Sequence, residues 1–294
     1  MSARILPPTE ENIEAAAQLL RVGGLVAFPT ETVYGLGANA LNADAVAKIF
    51  TAKGRPATNP VIVHVASLAE AKTLAAHWPP IAEELAQAHW PGPLTLVLEK
   101  AAAIPDIVTA GGPTVGLRIP DHPVALALLR RVGLPLAAPS ANRSEAVSPT
   151  TAQHVADSLG LYVDDLLILD GGPCTVGIES TVLDITVDPP RLLRPGMAKI
   201  QPLRGAEGDA TNRDVARAPG QMPRHYAPRK PVLLLQAGEG NLTLGTTPEE
   251  AATQLYAELH RLDADPAVER IVIVLPPDTP AWATIHDRLR RAAA

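Results

Sequence analysis

Phe28 to Ala40 reads FPTETVYGLGANA, and within it Gly35-Leu36-Gly37-Ala38-Asn39-Ala40 fits the dinucleotide fingerprint G-x-G-x-x-A. As the phosphate turn of a doubly wound fold, this stretch would bind a nicotinamide or flavin. Such a turn needs its first glycine at the very end of a strand, a helix opening at the third glycine position, and an acid about 20 residues on for the ribose. Thr30-Glu31-Thr32-Val33-Tyr34 separates Gly35 from the apolar strand Leu25 to Phe28, the next helix cap is Asn42, and positions 45–69 hold no Asp or Glu. That interval carries Lys48, Lys53 and Arg55, which suit a phosphate better than a ribose hydroxyl. A nicotinamide-dependent oxidoreductase therefore falls to a rival reading.

Outward from this stretch, Thr9 caps a helix with apolar Ile13, Ala16, Ala17 and Leu20 at helical spacing, ended by Gly23-Gly24. Asn42 caps a second helix through Phe50, Val61 to Val65 reads as a continuous buried strand, and Ser67-Leu68-Ala69-Glu70 reads as a capping box opening a third helix. A further helix runs from Ile81 to Ala88. Beyond it the alternation breaks: Leu94 to Leu98, Thr114 to Ile119, Pro135 to Ala138, Leu166 to Leu169, Ser180 to Ile185 and Arg191 to Arg194 are strands, with helices only near Val124 to Arg131 and Thr151 to Leu159. The last two strands form a hairpin turning at Asp188-Pro189-Pro190. The expected fold is α/β, a mixed, twisted open sheet rather than a regular doubly wound one. Residues 1–204 make the first domain, 205–230 a linker rich in Gly, Pro, Asp, Asn and Arg, and 231–294 a small Rossmann-like βαβα domain. Its strands are Val232 to Leu235 and Ile271 to Leu275, and its helices lie near Pro248 to Leu262 and Trp282 to Arg291.

The 294 residues are 47% hydrophobic and 19% charged, which describes a globular chain with a sizeable core. No apolar run reaches the length of a membrane span and no apolar leader precedes Pro7-Pro8, so the expected location is cytoplasmic, without membrane attachment. A single cysteine, Cys174, and eight His without metal-ligand spacing give no metal site, so any metal arrives with a substrate. The net charge of −6 argues against a general polyanion binder, and direct DNA binding is not expected.

The chemistry concentrates in polar clusters abutting apolar strands. Lys53-Gly54-Arg55-Pro56-Ala57-Thr58-Asn59-Pro60 places two cations, a hydroxyl and an amide on a stiff loop suited to a polyphosphate. A solvated surface turn is the plain alternative for this loop alone. Pro139-Ser140-Ala141-Asn142-Arg143-Ser144 and Ser148-Pro149-Thr150 sit at a strand-to-helix junction where hydroxyls and backbone N–H groups meet anions. Glu179-Ser180-Thr181 and Arg194-Pro195-Gly196 repeat the theme.

Taken in order, PTETVYGLGANA, KGRPATNPVIVHV, WPGPLTLVL, TVGLRIPDHP, APSANRS with SPT, DGGP with GIESTV, LLRPG and PGQMPRHYAP resemble the long-form threonylcarbamoyl-AMP synthases, a YrdC-like domain joined by a linker to a smaller domain. The resemblance spans roughly Ile5 to Pro231. It implies a nucleotidyltransferase that joins L-threonine, bicarbonate and ATP into L-threonylcarbamoyl-adenylate with release of pyrophosphate. Mg²⁺ would come with ATP, and a downstream threonylcarbamoyl transferase complex acting on tRNA would consume the product. Carried over by position, Lys53, Arg55, Asn59, Thr114, Ser140, Ser148, Arg194 and Tyr226 are the expected ATP contacts, with Lys53 and Arg55 catalytic through charge neutralisation. Thr32, His64, Arg118, Ala138 and Ser180 are the expected L-threonine contacts, Arg118 facing the carboxylate with its planar fork. An in-line attack on the α-phosphorus needs no protein nucleophile, consistent with a chain that shows no triad.

Several of these residues have a plainer reading. His64 alone is a satisfied core histidine, and Arg118 alone is the solvent face of a strand. Glu31 is either a buried partner of a basic group or a base. Tyr226, beside His225, either closes the site or pins the linker. Cys174 reads as a small buried thiol. Two features depart from the family pattern: Glu145 stands where glycine is usual, placing an acid near the phosphate loop, and the second domain is short, with two strands. An RNA-binding module without catalysis is a further alternative, motivated by the basic loop and by Arg224, Arg229 and Lys230, but opposed by the 3% aromatic content.

Overall fold

A computed structural model of the chain describes residues 3–200 and 226–294. In chain order the elements are β1 (Arg4–Leu6), α1 (Glu10–Arg21), β2 (Val26–Phe28), β3 (Gly35–Asn39), α2 (Ala43–Lys53), β4 (Val63–His64), α3 (Leu68–Leu74), α4 (Pro80–His89), β5 (Leu94–Glu99), β6 (Thr114–Arg118), α5 (Pro123–Val132), β7 (Leu136–Ala137), α6 (Ala152–Leu159), β8 (Leu167–Leu169), β9 (Thr181–Asp184) and β10 (Arg191–Arg194). The second unit contributes β11 (Val232–Leu235), α7 (Pro248–Ala264), β12 (Ile271–Val274) and α8 (Ala283–Ala292).

The opening stretch is a strand and not a phosphate turn. β3 pairs antiparallel with β2 in the register Val26↔Gly37, Ala27↔Leu36 and Phe28↔Gly35. Gly37 is required by close packing: a Cβ there would lie 2.8 Å from a Phe28 ring carbon. The nicotinamide reading fails on this geometry, because neither glycine leads into a helix N-terminus. Residues 29–34, between β2 and β3, are buried, and Thr30 satisfies part of their backbone. Its Oγ1 donates to Val33 O at 2.6 Å and accepts from Thr32 N and Val33 N, each at 3.2 Å.

β1 to β10 form a 10-stranded sheet in the order β1-β8-β2-β3-β7-β4-β6-β5-β9-β10. Four parallel pairs (β1 with β8, β2 with β8, β4 with β6, β5 with β9) are combined with five antiparallel ones, giving the expected mixed α/β sheet. α1 and α5 cover one face through Ile13, Leu20, Leu128 and Leu129, and α2, α4 and α6 pack on the other through Val46, Ile49, Leu85 and Val155. β9 and β10 form the antiparallel hairpin.

Local signals survive with small changes. Thr9 Oγ1 accepts from Asn12 N at 3.2 Å, and Asn42 Oδ1 accepts from Asp44 N and Ala45 N. Ser67 caps α3, but Glu70 reaches back to Ala66 N at 2.9 Å instead of to Ser67, so the expected box is not reciprocal. β1 and β3 were unforeseen, and the Val61 to Val65 run is buried throughout but pairs only at Val63–His64. α2 runs three residues past Phe50, which puts Lys53 in a helix instead of a loop. Arg224, His225 and all but the last few residues of the expected linker lie outside the described residues.

β11 and β12 pair in parallel with α7 and α8 packed against them. The core of this small unit includes Val33, Val147 and Ile178 from the first unit. So short a βαβα segment completes its core by borrowing apolar surface from the larger sheet. The contact is close: a Cβ on Gly177, whose φ is +80°, would stand 2.5 Å from Ala252 O of α7.

Candidate active site

The period-2 geometry of β4 places Ile62 and His64 on one side of the sheet, with Arg118 of β6 in register beside His64. Ala138, Pro139 and Ser140 follow β7, and Ser140 bridges to Gly35. These residues, with Thr30, Thr32, Arg55, Glu179, Ser180, Arg194 and Tyr226, line a cavity of about 50 Å³.

At one end Arg118, 3% exposed, makes three contacts. Nε donates to Gly92 O at 3.1 Å, Nη1 to Thr32 Oγ1 at 2.9 Å, and Nη2 lies 2.6 Å from Glu31 Oε1. Of the two readings of Glu31, the structure supplies the ion pair. His64 is buried, with its ring edge-on to Phe28 at 6.4 Å, and burial together with the Arg118 charge lowers its pKa to about 3. It is therefore a neutral imidazole at physiological pH. Its Nδ1 has no hydrogen-bond partner among the described residues, so this histidine is not the satisfied core residue of the plainer reading.

At the other end, backbone carbonyls fix the guanidiniums. Arg55 donates Nε to Asn59 O at 3.2 Å and Nη2 to Pro60 O at 2.8 Å, and burial lowers its pKa to about 10. Arg194 donates Nε to Ser180 O and Nη2 to Ser180 Oγ, both at 3.0 Å, and Ser180 Oγ is 2.7 Å from Thr95 Oγ1. Tyr226, 1% exposed, lies 5.6 Å from the Tyr256 ring of α7.

Two family models match the chain. One described as "Telomere recombination" matches residues 18–196, and one described as "Threonylcarbamoyl-AMP synthase, C-terminal domain" matches 193–244 and 239–294. The threonylcarbamoyl-AMP synthase of Bacillus subtilis is 41% identical, over 98% of this chain and 94% of that protein. The Pyrococcus abyssi threonylcarbamoyl-AMP synthase is 48% identical, over 77% of this chain and 68% of that protein. The chain belongs to the threonylcarbamoyl-AMP synthase family. A crystal structure of P. abyssi Sua5 complexed with L-threonine superposes with a TM-score of 0.88 at 38% identity, covering 99% of this chain and 97% of that one.

Against this family the expected site residues divide. Thr32, His64, Arg118, Ala138 and Ser180 all line the cavity, as do Arg55, Ser140, Arg194 and Tyr226. Lys53, Asn59, Thr114 and Ser148 do not. Asn59 is held under Arg55 by its carbonyl. Thr114 lines a separate small crevice with Thr95 and Val182. Ser148 donates to Glu179 Oε1 at 2.6 Å.

Lys53 departs furthest from its loop reading. It is 1% exposed, and Nζ donates to Ser140 O at 2.6 Å and Asn142 O at 2.5 Å. The loop answers in kind: Ser144 N donates to Lys53 O at 2.8 Å and Arg143 Nη1 to Ala52 O at 3.0 Å. The lysine thus clamps the Pro139–Ser144 loop onto the end of α2. Burial, with Arg55 and Arg143 nearby, lowers its pKa.

Glu145 is exposed and absent from the cavity lining. Its φ of 68° lies in the left-handed region, which accounts physically for the glycine usual in the family. Its carbonyl accepts from Ala227 N at 2.8 Å and so anchors the segment carrying Tyr226. Cys174 is buried, and burial pushes its thiol up, leaving it unsuited to nucleophilic work. Sequence reasoning missed Thr30 and Glu179 as lining residues. Glu179 sat inside the quoted GIESTV motif, and a charged residue abutting a buried strand was the available signal.

Proposed function

We propose that this chain synthesises L-threonylcarbamoyl-adenylate from L-threonine, bicarbonate and ATP, releasing pyrophosphate, to supply a tRNA-modifying transferase. The observation that carries the reading is the convergence in one cavity of polar Thr32, His64, Arg118 and Ser180 with the guanidiniums of Arg55 and Arg194 and with Ser140. A guanidinium has five N–H groups, and Arg118 uses three of its bonds on Gly92, Thr32 and Glu31. The remaining donors suit the threonine carboxylate. Neutral His64 and Thr32 offer hydrogen bonds to the amino acid's hydroxyl and amine. The amine adds to bicarbonate with loss of water, a carbamate oxygen attacks the α-phosphorus in line, and pyrophosphate departs. Arg55 and Arg194 oppose the charge that develops on the phosphates.

Mg²⁺ enters with the triphosphate as MgATP. Among the described residues no cluster of His, Cys, Asp or Glu is arranged around a metal, and Glu31 and Glu179 are each tied to an arginine. The cavity has room for a few waters or a small side chain, far short of a nucleotide. Tyr226 forms one wall, and in this reading its segment shifts to admit ATP and then excludes water. The product is a mixed anhydride prone to hydrolysis, so a transferase acting on tRNA must take it promptly.

Pyrophosphate release is measured with threonine and bicarbonate omitted in turn. Release dependent on both supports the assignment, and release indifferent to either removes it.

A further inference from the structure

Among the described residues lining the cavity, Glu179 is the only carboxylate. A buried carboxylate on the wall of a site for phosphates repels its ligand unless a cation neutralises it. The neutralising group comes from the other domain. Arg288 of α8, with no exposed surface, donates Nε to Glu179 Oε2 at 2.9 Å, Nη2 to Pro195 O at 2.9 Å and Nη1 to Asp287 Oδ2 at 2.5 Å. Tyr256 of α7 donates its hydroxyl to the same Glu179 Oε2 at 3.0 Å, while Ser148 Oγ takes up Oε1. The Arg288 guanidinium also lies 5.1 Å from the centre of the Tyr226 ring.

A bridge that served only to dock two domains has no need to end in the cavity wall. This one ends on the residue next to Ser180, which Arg194 holds through both its carbonyl and its hydroxyl. Burial pushes the Glu179 pKa up, but Arg288, Arg194 and Ser148 outweigh it and leave the carboxyl below its ordinary value.

We propose that Arg288 is a positioning residue for the nucleotide end of the site, acting from the second domain through Glu179. The proposal rests on the ATP-dependent reading given above. By neutralising Glu179 and tying it at Oε2, Arg288 keeps an uncompensated negative charge away from the triphosphate and holds Ser148 and Arg194 in place. The small domain is thereby part of the catalytic apparatus without touching substrate.

The test compares the full-length chain with Arg288→Met, Arg288→Lys, Glu179→Gln and the Arg288→Met/Glu179→Gln double variant. The readouts are melting temperature, KM for ATP and for threonine, and the pH dependence from 6 to 9. Groups facing Glu179 are Arg288 and, through it, Asp287 from α8, Tyr256 from α7, Ser148 and Arg194 from the first domain, and Tyr226 from the end of the linker. Arg288→Met should raise KM for ATP about tenfold or more at pH 8 and move KM for threonine less than about threefold. The deficit should shrink toward pH 6, because Glu179 without its cation titrates upward and is neutralised by protonation. Arg288→Lys, which keeps the positive charge, should retain most of the ATP affinity. Adding Glu179→Gln should recover most of it in the Arg288→Met background. If Arg288→Met does not fold, the decisive pair is Glu179→Gln against the double variant: equal KM for ATP supports the proposal, and a further loss in the double variant overturns it. An unchanged KM and pH profile in a folded Arg288→Met also overturns it. Wild-type protein without threonine-dependent pyrophosphate release would instead remove the underlying reading, and the same variants would still report on ATP affinity by calorimetry.

Discussion

Replacing Lys53 by Met keeps the side chain's length and most of its apolar stem while removing the ammonium that clamps Ser140 O and Asn142 O. Asn142 O is left without a donor, at about 1–3 kcal/mol, while Ser140 O keeps Asn142 N at 3.0 Å and loses only a charge-assisted bond worth about 1.5–3 kcal/mol, so the two together amount to roughly 2–6 kcal/mol. Relief of the desolvation penalty on a fully buried ammonium, several kcal/mol, offsets part of it. A net destabilisation of about 1–3 kcal/mol remains, a fall in melting temperature of roughly 2–6 °C at this chain length. The Ser140 loop should loosen with it, so KM for ATP should rise while KM for threonine moves little. Thermal melting by circular dichroism and pyrophosphate release are read on the same preparation. Lost turnover at an unchanged melting temperature would falsify the clamp, because it would mean that Lys53 acts on the nucleotide directly and contributes nothing to the loop.

Two further outcomes follow from the site and the domain contact. Arg118→Lys keeps a positive charge but not the fork that reaches Gly92, Thr32 and Glu31 together, so KM for threonine should rise about 100-fold with KM for ATP within about threefold; threonine kinetics like wild type would contradict the carboxylate role. His154 of α6 stacks on His260 of α7 at 3.9 Å, and burial followed by the neighbouring His260 lowers the pKa of His154 to about 3. The unfolded chain binds protons at about 6.5 that the folded one refuses, so stability present above that pH is lost as pH falls toward 3. Allowing for the partial exposure of His154, the loss should be about 1 kcal/mol by pH 5.5. His260 also faces Asp157, Asp263 and Arg229, which shape the same slope. His154→Phe preserves the stack and should flatten the acid loss of melting temperature, and an identical slope in that variant would rule out this pair as its source.

Much was legible in the sequence because much of it is local. Thr9 and Asn42 announce their helices within three residues, since a cap bonds to the backbone just beyond it. The convergence of Thr32, His64, Arg118, Ala138 and Ser180 was readable as well, because each belongs to a motif that matches the family, and the structure brings all five to one cavity. Lys53 was misplaced in a loop because its partners, Ser140 and Asn142, lie nearly ninety residues away.

What the sequence determined by itself was the class of fold, the approximate limits of most elements and the chemical character of the polar clusters, all properties of neighbouring residues and of spacing. Tertiary structure alone decided that GLGAN would lie down as a strand against Phe28, that Glu31 would spend its charge on Arg118, and that Arg288 would reach Glu179 across the domain boundary. The reason is physical. A cap or an amphipathic period is satisfied within a turn or two of chain, whereas a buried charge takes whichever partner the folded backbone brings within about 3 Å, and that choice is made only when the domains close on each other.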